Sequence, residues 1–353
     1  MKNNQINEHL TSIAQHLYEK SKTVNNIGLL DGATGIALFF FLYSRYFNDI
    51  KYESYAHEMI DNIGEKITEA EHTEYAGGLA GFGTCIEFLA KHQFIDVNTN
   101  EILEDMDQYL QCKLPIFFGN PDLNNGIGGI VKYFIMRQSK MAENGIKVLS
   151  HVSDMFGSKS IGSYQSAISL IDIYSSLLRL NINMSKSEKY INYAIDKIET
   201  MIYEDIHFKL LSGLFNPLSL AYKLFKVAEE TKNDKYNEKS MFFLNSYEMN
   251  FREYLTYKQV GVIAGPLKWS FLYKFLGTKL QNQNYLEESK MWLSKYFSDC
   301  SLNEENDIPF SILNGIAGDG ILLLSLMENT YESAFEIIPI YYEKAANVRQ
   351  YAI

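Results

Sequence analysis

One phrase recurs along this chain and limits what the chain can fold into. A glycine, an apolar and a small residue, another glycine and then an apolar run are written as "DGATGIALFFFLY" from Asp31, "GGLAGFGTCIEFL" from Gly77, "NGIGGIVKYFIM" from Asn125 and "NGIAGDGILLL" from Asn314. Weaker copies fill the gap: "SAISLIDIYSSLL" from Ser166, "NPLSLAYKLF" from Asn216 and "GPLKWSFLYKFL" from Gly265. Counted from Gly32, Gly78, Gly126, Ser166, Asn216, Gly265 and Gly315, the copies lie about 40–50 residues apart, the mark of a repeat architecture.

Each repeat has two helical halves. The run after each phrase, such as "GIALFFFLY" or "GILLLSLM", is apolar on every side, so its helix must be buried on every side. Between these runs lie amphipathic stretches. In Tyr52–Glu71, Tyr52, Ala56, Met59, Ile60, Ile63 and Ile67 share one stripe and the charges lie opposite. Strand signals are poor, and six prolines leave the helices largely unbroken.

Seven such hairpins fit either an open solenoid or a closed ring with the buried helices inside. A solenoid needs polar capping repeats, yet the first and last repeats carry some of the cleanest phrases. Paired glycines also suit a ring whose inner helices start close to one axis, where Cβ atoms would clash. The expected fold is all-α, a closed α/α toroid of about seven hairpins, as one domain over residues 1–353.

Composition narrows the function. The net charge of −11 argues against sequence-independent nucleic-acid binding and against docking on an anionic membrane surface. The longest apolar run, Ile36–Tyr43, is too short to span a bilayer. Cys85, Cys112 and Cys300 are far apart and none forms a CxxC pair, so reduced thiols in a cytoplasm are expected.

Seven Gly-x-x-Gly hairpins of this kind resemble the lanthionine synthetase C (LanC-like) family, and the likeness runs through nearly the whole chain. "PDLNNGIGGIVKYFI" looks like the family's third repeat, with Asp122 four residues before the glycine, and "FSILNGIAGDGILLL" looks like its closing repeat. The resemblance implies a ring that adds a peptide cysteine thiol to a dehydrated serine or threonine, forming a thioether. It implies a zinc held by two Cys and one His, with a second His for proton transfer. Zinc is suited to that step because coordination deprotonates a thiol, and a positioned His can protonate the resulting enolate.

At the positions where the resemblance places these groups, the chain has other residues. Leu214 stands at the first zinc-ligand position, Ile263 and Ala264 at the next two, and Gln165 at the position of the catalytic His. Asp122 alone is kept. None of the seven histidines lies in a Gly phrase or forms a His/Cys pair at metal spacing. No bound cofactor is expected.

The helix starts should still surround a pocket whose N–H groups favour anions or carbonyls. Asp31, Asp122, Asn125, Tyr164, Gln165, Asn216, Lys268, Trp269, Asn314 and Asp319 are placed near its rim. Of these, Asp122, Tyr164, Gln165, Lys268 and Trp269 are the candidate binding residues. For Asp31, Asn216 and Asn314, helix capping is the better reading.

The expected function is that of a zinc-free LanC-like protein binding a precursor peptide or a partner enzyme in lanthipeptide or other ribosomal peptide modification. Two alternatives stay open. One is an active thioether-forming cyclase that uses other residues. The other is a glycoside-processing toroid, for which Asp31, Asp122 and Asp319 would supply carboxylates, though two Trp are few for a sugar cleft. A magnesium-dependent terpene cyclase is disfavoured, since no Asp-Asp-x-x-Asp run exists.

Overall fold

Each of the seven phrases opens a helix, as its apolar run requires. The computed structural model describes residues 3–67, 72–113, 121–137, 164–208, 216–251, 260–263, 265–299 and 309–340. Its helices are α1 (Asn3–Lys20), α2 (Ala33–Phe47), α3 (Ile50–Lys66), α4 (Leu79–Lys91), α5 (Thr99–Ile102), α6 (Glu104–Lys113), α7 (Ile127–Arg137), α8 (Tyr164–Arg179), α9 (Met184–Phe208), α10 (Pro217–Thr231), α11 (Lys235–Phe251), α12 (Pro266–Lys279), α13 (Gln283–Asp299) and α14 (Ile316–Met327). No strand occurs among the described residues, and no helix there is long and apolar enough to cross a membrane.

The phrase helices α2, α4, α7, α8, α10, α12 and α14 are buried nearly all round; every residue of α2 from Ala33 to Ser44 is buried. The helices between them bury one face. On α3 the expected stripe holds at Tyr52, Ala56, Met59 and Ile63, Tyr55 joins it, and Ile60 and Ile67 are only half-buried.

The chain forms two compact units. The first joins Met1–Leu110 to Thr256–Ile340, and the described part of the second lies within Gln111–Leu255. In the first unit α14 packs on α2, α1 and α12, and α2 also touches α4. The last repeat therefore lies against the first within this unit.

The loops before the phrase helices join one another in series. Leu30 N–H donates to the Ala76 carbonyl at 3.0 Å, and Leu313 N–H to the Leu30 carbonyl at 3.0 Å. Ile263 and Val262 N–H donate to the Leu313 and Ile312 carbonyls, both at 3.1 Å. The loops of the second, first, seventh and sixth repeats thus form one backbone belt.

Each loop also folds back onto its own helix. The first helical N–H of α2, α4 and α14 (Ala33, Leu79, Ile316) donates to the carbonyl of Asn26, His72 and Pro309 respectively, at 2.8, 3.1 and 3.0 Å. This close return explains the paired glycines. A Cβ on Gly78 would stand 2.5 Å from the His72 carbonyl oxygen, and one on Gly81 would collide with the Tyr75 carbonyl and crowd Leu29 of the neighbouring loop. Gly32 and Gly35, and Gly315 and Gly318, repeat that geometry. The crowding comes from the helix's own loop and the adjacent loop, where the sequence suggested crowding at a common axis.

The second unit packs α7 on α8, α8 on α9 and α10, and α10 on α11. At its centre three phrase helices each contribute one charge. Lys132 Nζ of α7 donates to Asp172 Oδ2 of α8 at 2.9 Å, and Lys223 Nζ of α10 bonds Asp172 Oδ1. All three side chains are at least nine-tenths buried. Burial alone would raise the Asp172 acid, but the charges of Lys132 and Lys223, with their hydrogen bonds, hold it well below the usual carboxylate range. The carboxylate thus pins three apolar helices at one register, since sliding any of them would strand a buried charge.

Two predictions follow from these contacts. Gly81→Ala should destabilise the protein by about 1–3 kcal/mol through overpacking, whereas Gly64→Ala, with nothing within 4 Å of its new Cβ, should stabilise α3 by about 1 kcal/mol; urea unfolding measures both. Asp172→Asn should cost about 3–5 kcal/mol at pH 7, because two ammonium groups lose their buried counter-charge. The Asp172 acid is depressed in the folded state, so its contribution is present above the ordinary value of 3.8 and lost as pH falls below it. Unfolding of the Asn variant between pH 5 and pH 2 should accordingly lack part of the acid-dependent loss seen in the parent.

Candidate functional site

The phrase loops carry the residues singled out from the sequence, and their local geometry fixes what each can do. Asp122 is half-buried just before α7, and its Oδ1 accepts the N–H groups of Asn124 and Asn125, both at 2.9 Å. Burial raises its acid, and these two backbone bonds pull it back down. Asp122 therefore builds the turn that leads into α7. Tyr164 is buried and Gln165 half-buried on the first described turn of α8. These three residues belong to the second unit, and Lys268 and Trp269 to the first.

Lys268 and Trp269 pack into the interior of the first unit. Both are on the first turn of α12 and both are buried, Lys268 at 0% and Trp269 at 2% exposure. Lys268 Nζ donates to the Ile263 carbonyl at 2.7 Å and lies 5.2 Å from the centre of the Trp269 ring. The ammonium group thus turns back onto its own loop, because that carbonyl lies within its reach and a buried cation needs an acceptor. Lys268 thus braces the loop that carries Ile263.

The expected caps divide. Asn216 caps α10, its side-chain oxygen accepting from Leu218 and Ser219 N–H at 2.9 and 3.2 Å. At α2 and α14 the cap positions are Gly32 and Gly315, with no side-chain bond. Asp31 instead accepts from Asn26 Nδ2 at 3.1 Å, and Asn314 is exposed, its N–H donating to Ser311 Oγ at 3.3 Å. Asn125 is exposed beside Asp122. Asp319 is buried on α14, where its Oδ1 accepts the Gly261 N–H at 2.7 Å.

The expectation of free helix-start N–H groups also needs correction. At α2, α4 and α14 the first N–H is already used by the loop carbonyl seven residues earlier. These ends are therefore less open to an anion than an isolated helix start would be.

The residues present do not fit the zinc that the resemblance implies. Ile263 offers a buried hydrocarbon side chain, and its own N–H and carbonyl serve Leu313 and Lys268. Leu214 and Ala264 lie outside the described residues, as does Cys300; neither leucine nor alanine has a donor atom for a metal. Among the described residues, no three His, Cys, Asp or Glu side chains gather where a metal could sit. Cys85 is fully buried, and burial pushes its thiol well above the ordinary range, away from the thiolate a metal needs.

Sequence reasoning missed the Lys132–Asp172–Lys223 cluster. Its signal was a single charge inside each of three otherwise uncharged runs, "GGIVKYFIM", "SAISLIDIYSSLL" and "NPLSLAYKLF". It also missed Asp319 as the anchor of Gly261, which no spacing reveals because 58 residues separate them.

Residues 23–169 match the family model described as lanthionine synthetase C-like protein. No curated protein matches the chain. Among solved structures, nisin cyclase shares the fold with a TM-score of 0.68 at 13% identity, over 96% of this chain and 99% of that one. An identity that low speaks to the fold alone, and the all-helical expectation agrees with it. Residues 23–169 thus carry the pattern of the lanthionine synthetase C-like family, on a fold like that of nisin cyclase along nearly the whole chain.

Proposed function

We propose that this LanC-like protein works in lanthipeptide or related ribosomal peptide modification by binding a precursor peptide or a partner modifying enzyme, as one domain over residues 1–353 and without zinc-assisted thioether formation of its own. The observation that carries this reading is the set of residues at the zinc positions, Leu214, Ile263 and Ala264, with Gln165 where the resemblance places a catalytic His. Ile263 supports it further, since its side chain is packed away and its backbone is fully engaged.

The chemistry follows from what is replaced. A peptide thiol of ordinary pKa near 8.5 is only a few per cent thiolate at neutral pH. Zinc coordination would remove that limit, and a positioned general acid contributes roughly 10²–10⁴-fold more. Hydrocarbon side chains supply neither. Binding does not need the metal, and Asp122, Tyr164 and Gln165 are the residues proposed to make contact. Lys268 and Trp269 are proposed beside them, with Lys268 also holding the carbonyl of Ile263.

The test uses purified protein. Elemental analysis should find far less than one zinc per chain. Incubated with a dehydrated precursor peptide, the protein should bind it, as read by fluorescence anisotropy, while free thiol disappears at the rate of the protein-free control. Stoichiometric zinc would show that the ligand positions are misplaced. Thiol loss well above control, abolished by Asp122→Ala, would establish a cyclase in place of a binder.

A further inference from the structure

Two side chains at the starts of the second unit's phrase helices each carry a hydrogen-bonding atom that the protein does not satisfy. Asn124, in the turn before α7, and Asn216, the cap of α10, are 6% and 0% exposed. Asn124 Oδ1 and Asn216 Nδ2 are both buried and meet no hydrogen-bond partner. The orientation of Asn216 is fixed, since its oxygen accepts the Leu218 and Ser219 N–H groups of its own helix. Its Nδ2 therefore faces away from them. Buried polar groups are nearly always paired, and leaving one unpaired weakens a fold, so these two need a reason.

Both amides stand at the same end of one helix layer. Leu123 N–H donates to Ser169 Oγ at 3.1 Å, and Lys132 Nζ to Asp172 Oδ2 at 2.9 Å, so α7 and α8 share a direction. After the short turn at 180–183, α9 packs back along α8 and returns the chain to that end before α10 begins. Lys223 of α10 then meets the same Asp172 carboxylate. Asn124 and Asn216 precede Lys132 and Lys223 by eight and seven residues, which sets them at a similar height. Beside them Asn125 is exposed, and Asp122 and Gln165 are half-buried, so this end of the unit borders solvent.

We propose that Asn124 and Asn216 hold the main chain of an extended peptide across the starts of α7, α8 and α10, with Asn124 Oδ1 accepting a peptide N–H and Asn216 Nδ2 donating to a peptide carbonyl. The inference rests on the peptide-binding reading above and names how the peptide is recognised. The pair selects its ligand by what it leaves unpaired. An anion brings only acceptors, and the Asn124 oxygen and the Asp122 carboxyl would repel it. A cation brings only donors, which Asn216 Nδ2 would repel. Lys132 and Lys223, the cations of this unit's centre, are committed to Asp172. A peptide main chain brings both a donor and an acceptor. At about 3.3 Å per residue, a run of about five residues covers the starts of three adjacent helices.

Recognition of this kind reads the backbone and tolerates different side chains. A ligand that pairs with a buried amide also recovers the free energy lost while that amide is unpaired. Each of the two contacts should therefore contribute about tenfold in affinity.

NMR of the side-chain carboxamides on the full chain tests this with a peptide that has little besides a main chain, acetyl-pentaalanine-methylamide. Asn216→Asp keeps a good cap on α10 and removes the donor, and Asn124→Leu removes the acceptor; the signal each variant loses assigns that residue. In the parent chain, millimolar probe should shift both carboxamide signals. The same peptide with every amide N-methylated should bind about tenfold more weakly, because it has no N–H for Asn124. Each variant should weaken the probe, and a dehydrated precursor peptide, by about tenfold. Carboxamide signals that the probe leaves unmoved, or N-methylation without effect, would overturn the proposal, and these arms decide alone if either variant fails to fold. A precursor that binds the parent and both variants equally would also overturn it, while leaving peptide binding itself in place. Failure of the precursor to bind the parent chain at all would instead remove the earlier reading, and the pentaalanine result would still decide this one.

Discussion

The backbone belt that links the phrase loops is the constraint on which the rest of the first unit depends. Ala76 accepts from Leu30, Leu30 from Leu313, and Leu313 and Ile312 from Ile263 and Val262. Peptide groups buried beneath helix ends must find partners, and here they find them in neighbouring loops. Because each loop also folds back onto its own helix, the backbone approaches itself too closely for a side chain. The glycine pair is the sequence's answer to that geometry, so the repeat pattern and the belt are one fact seen at two levels.

The second unit is organised by a different force. α7, α8 and α10 are apolar enough to slide past one another without large cost, since hydrophobic burial is non-directional. The Lys132–Asp172–Lys223 cluster supplies direction, at the expense of desolvating three charges. Ser175 and Ser176 both donate to the Asp172 carbonyl at 2.9 Å, so the backbone beside the carboxylate is tied as well. One unit thus fixes its register through peptide groups and the other through ions.

The repeat, the helical class and the burial of the phrase helices were legible because each leaves a periodic trace, whether a glycine pair or an unbroken apolar run. Asn216 was legible as a cap because capping is local. Lys268 and Trp269 were not, because nothing in "GPLKWSF" says that the ammonium turns back to Ile263. Asp31 and Asn314 misled for a related reason, since the loop's return supplies the bond that a cap would otherwise make. The charge cluster and the Asp319 anchor arise from residues 40 or more positions apart, and such pairings are set by packing.

The union of the first and last repeats in one unit bears on how the chain is made. As synthesis proceeds from the N-terminus, the face of α2 that will receive α14 is complete long before α14 exists. At ordinary elongation rates, the roughly 270 residues between them take about 15–55 s. Through that interval the helices within Gln111–Leu255 already have one another, while the earliest repeats still lack their final neighbour. The oldest part of the chain is thus among the last to be finished, and a nascent chain stalled before residue 316 would expose an apolar surface where the completed protein has a helix-to-helix seam.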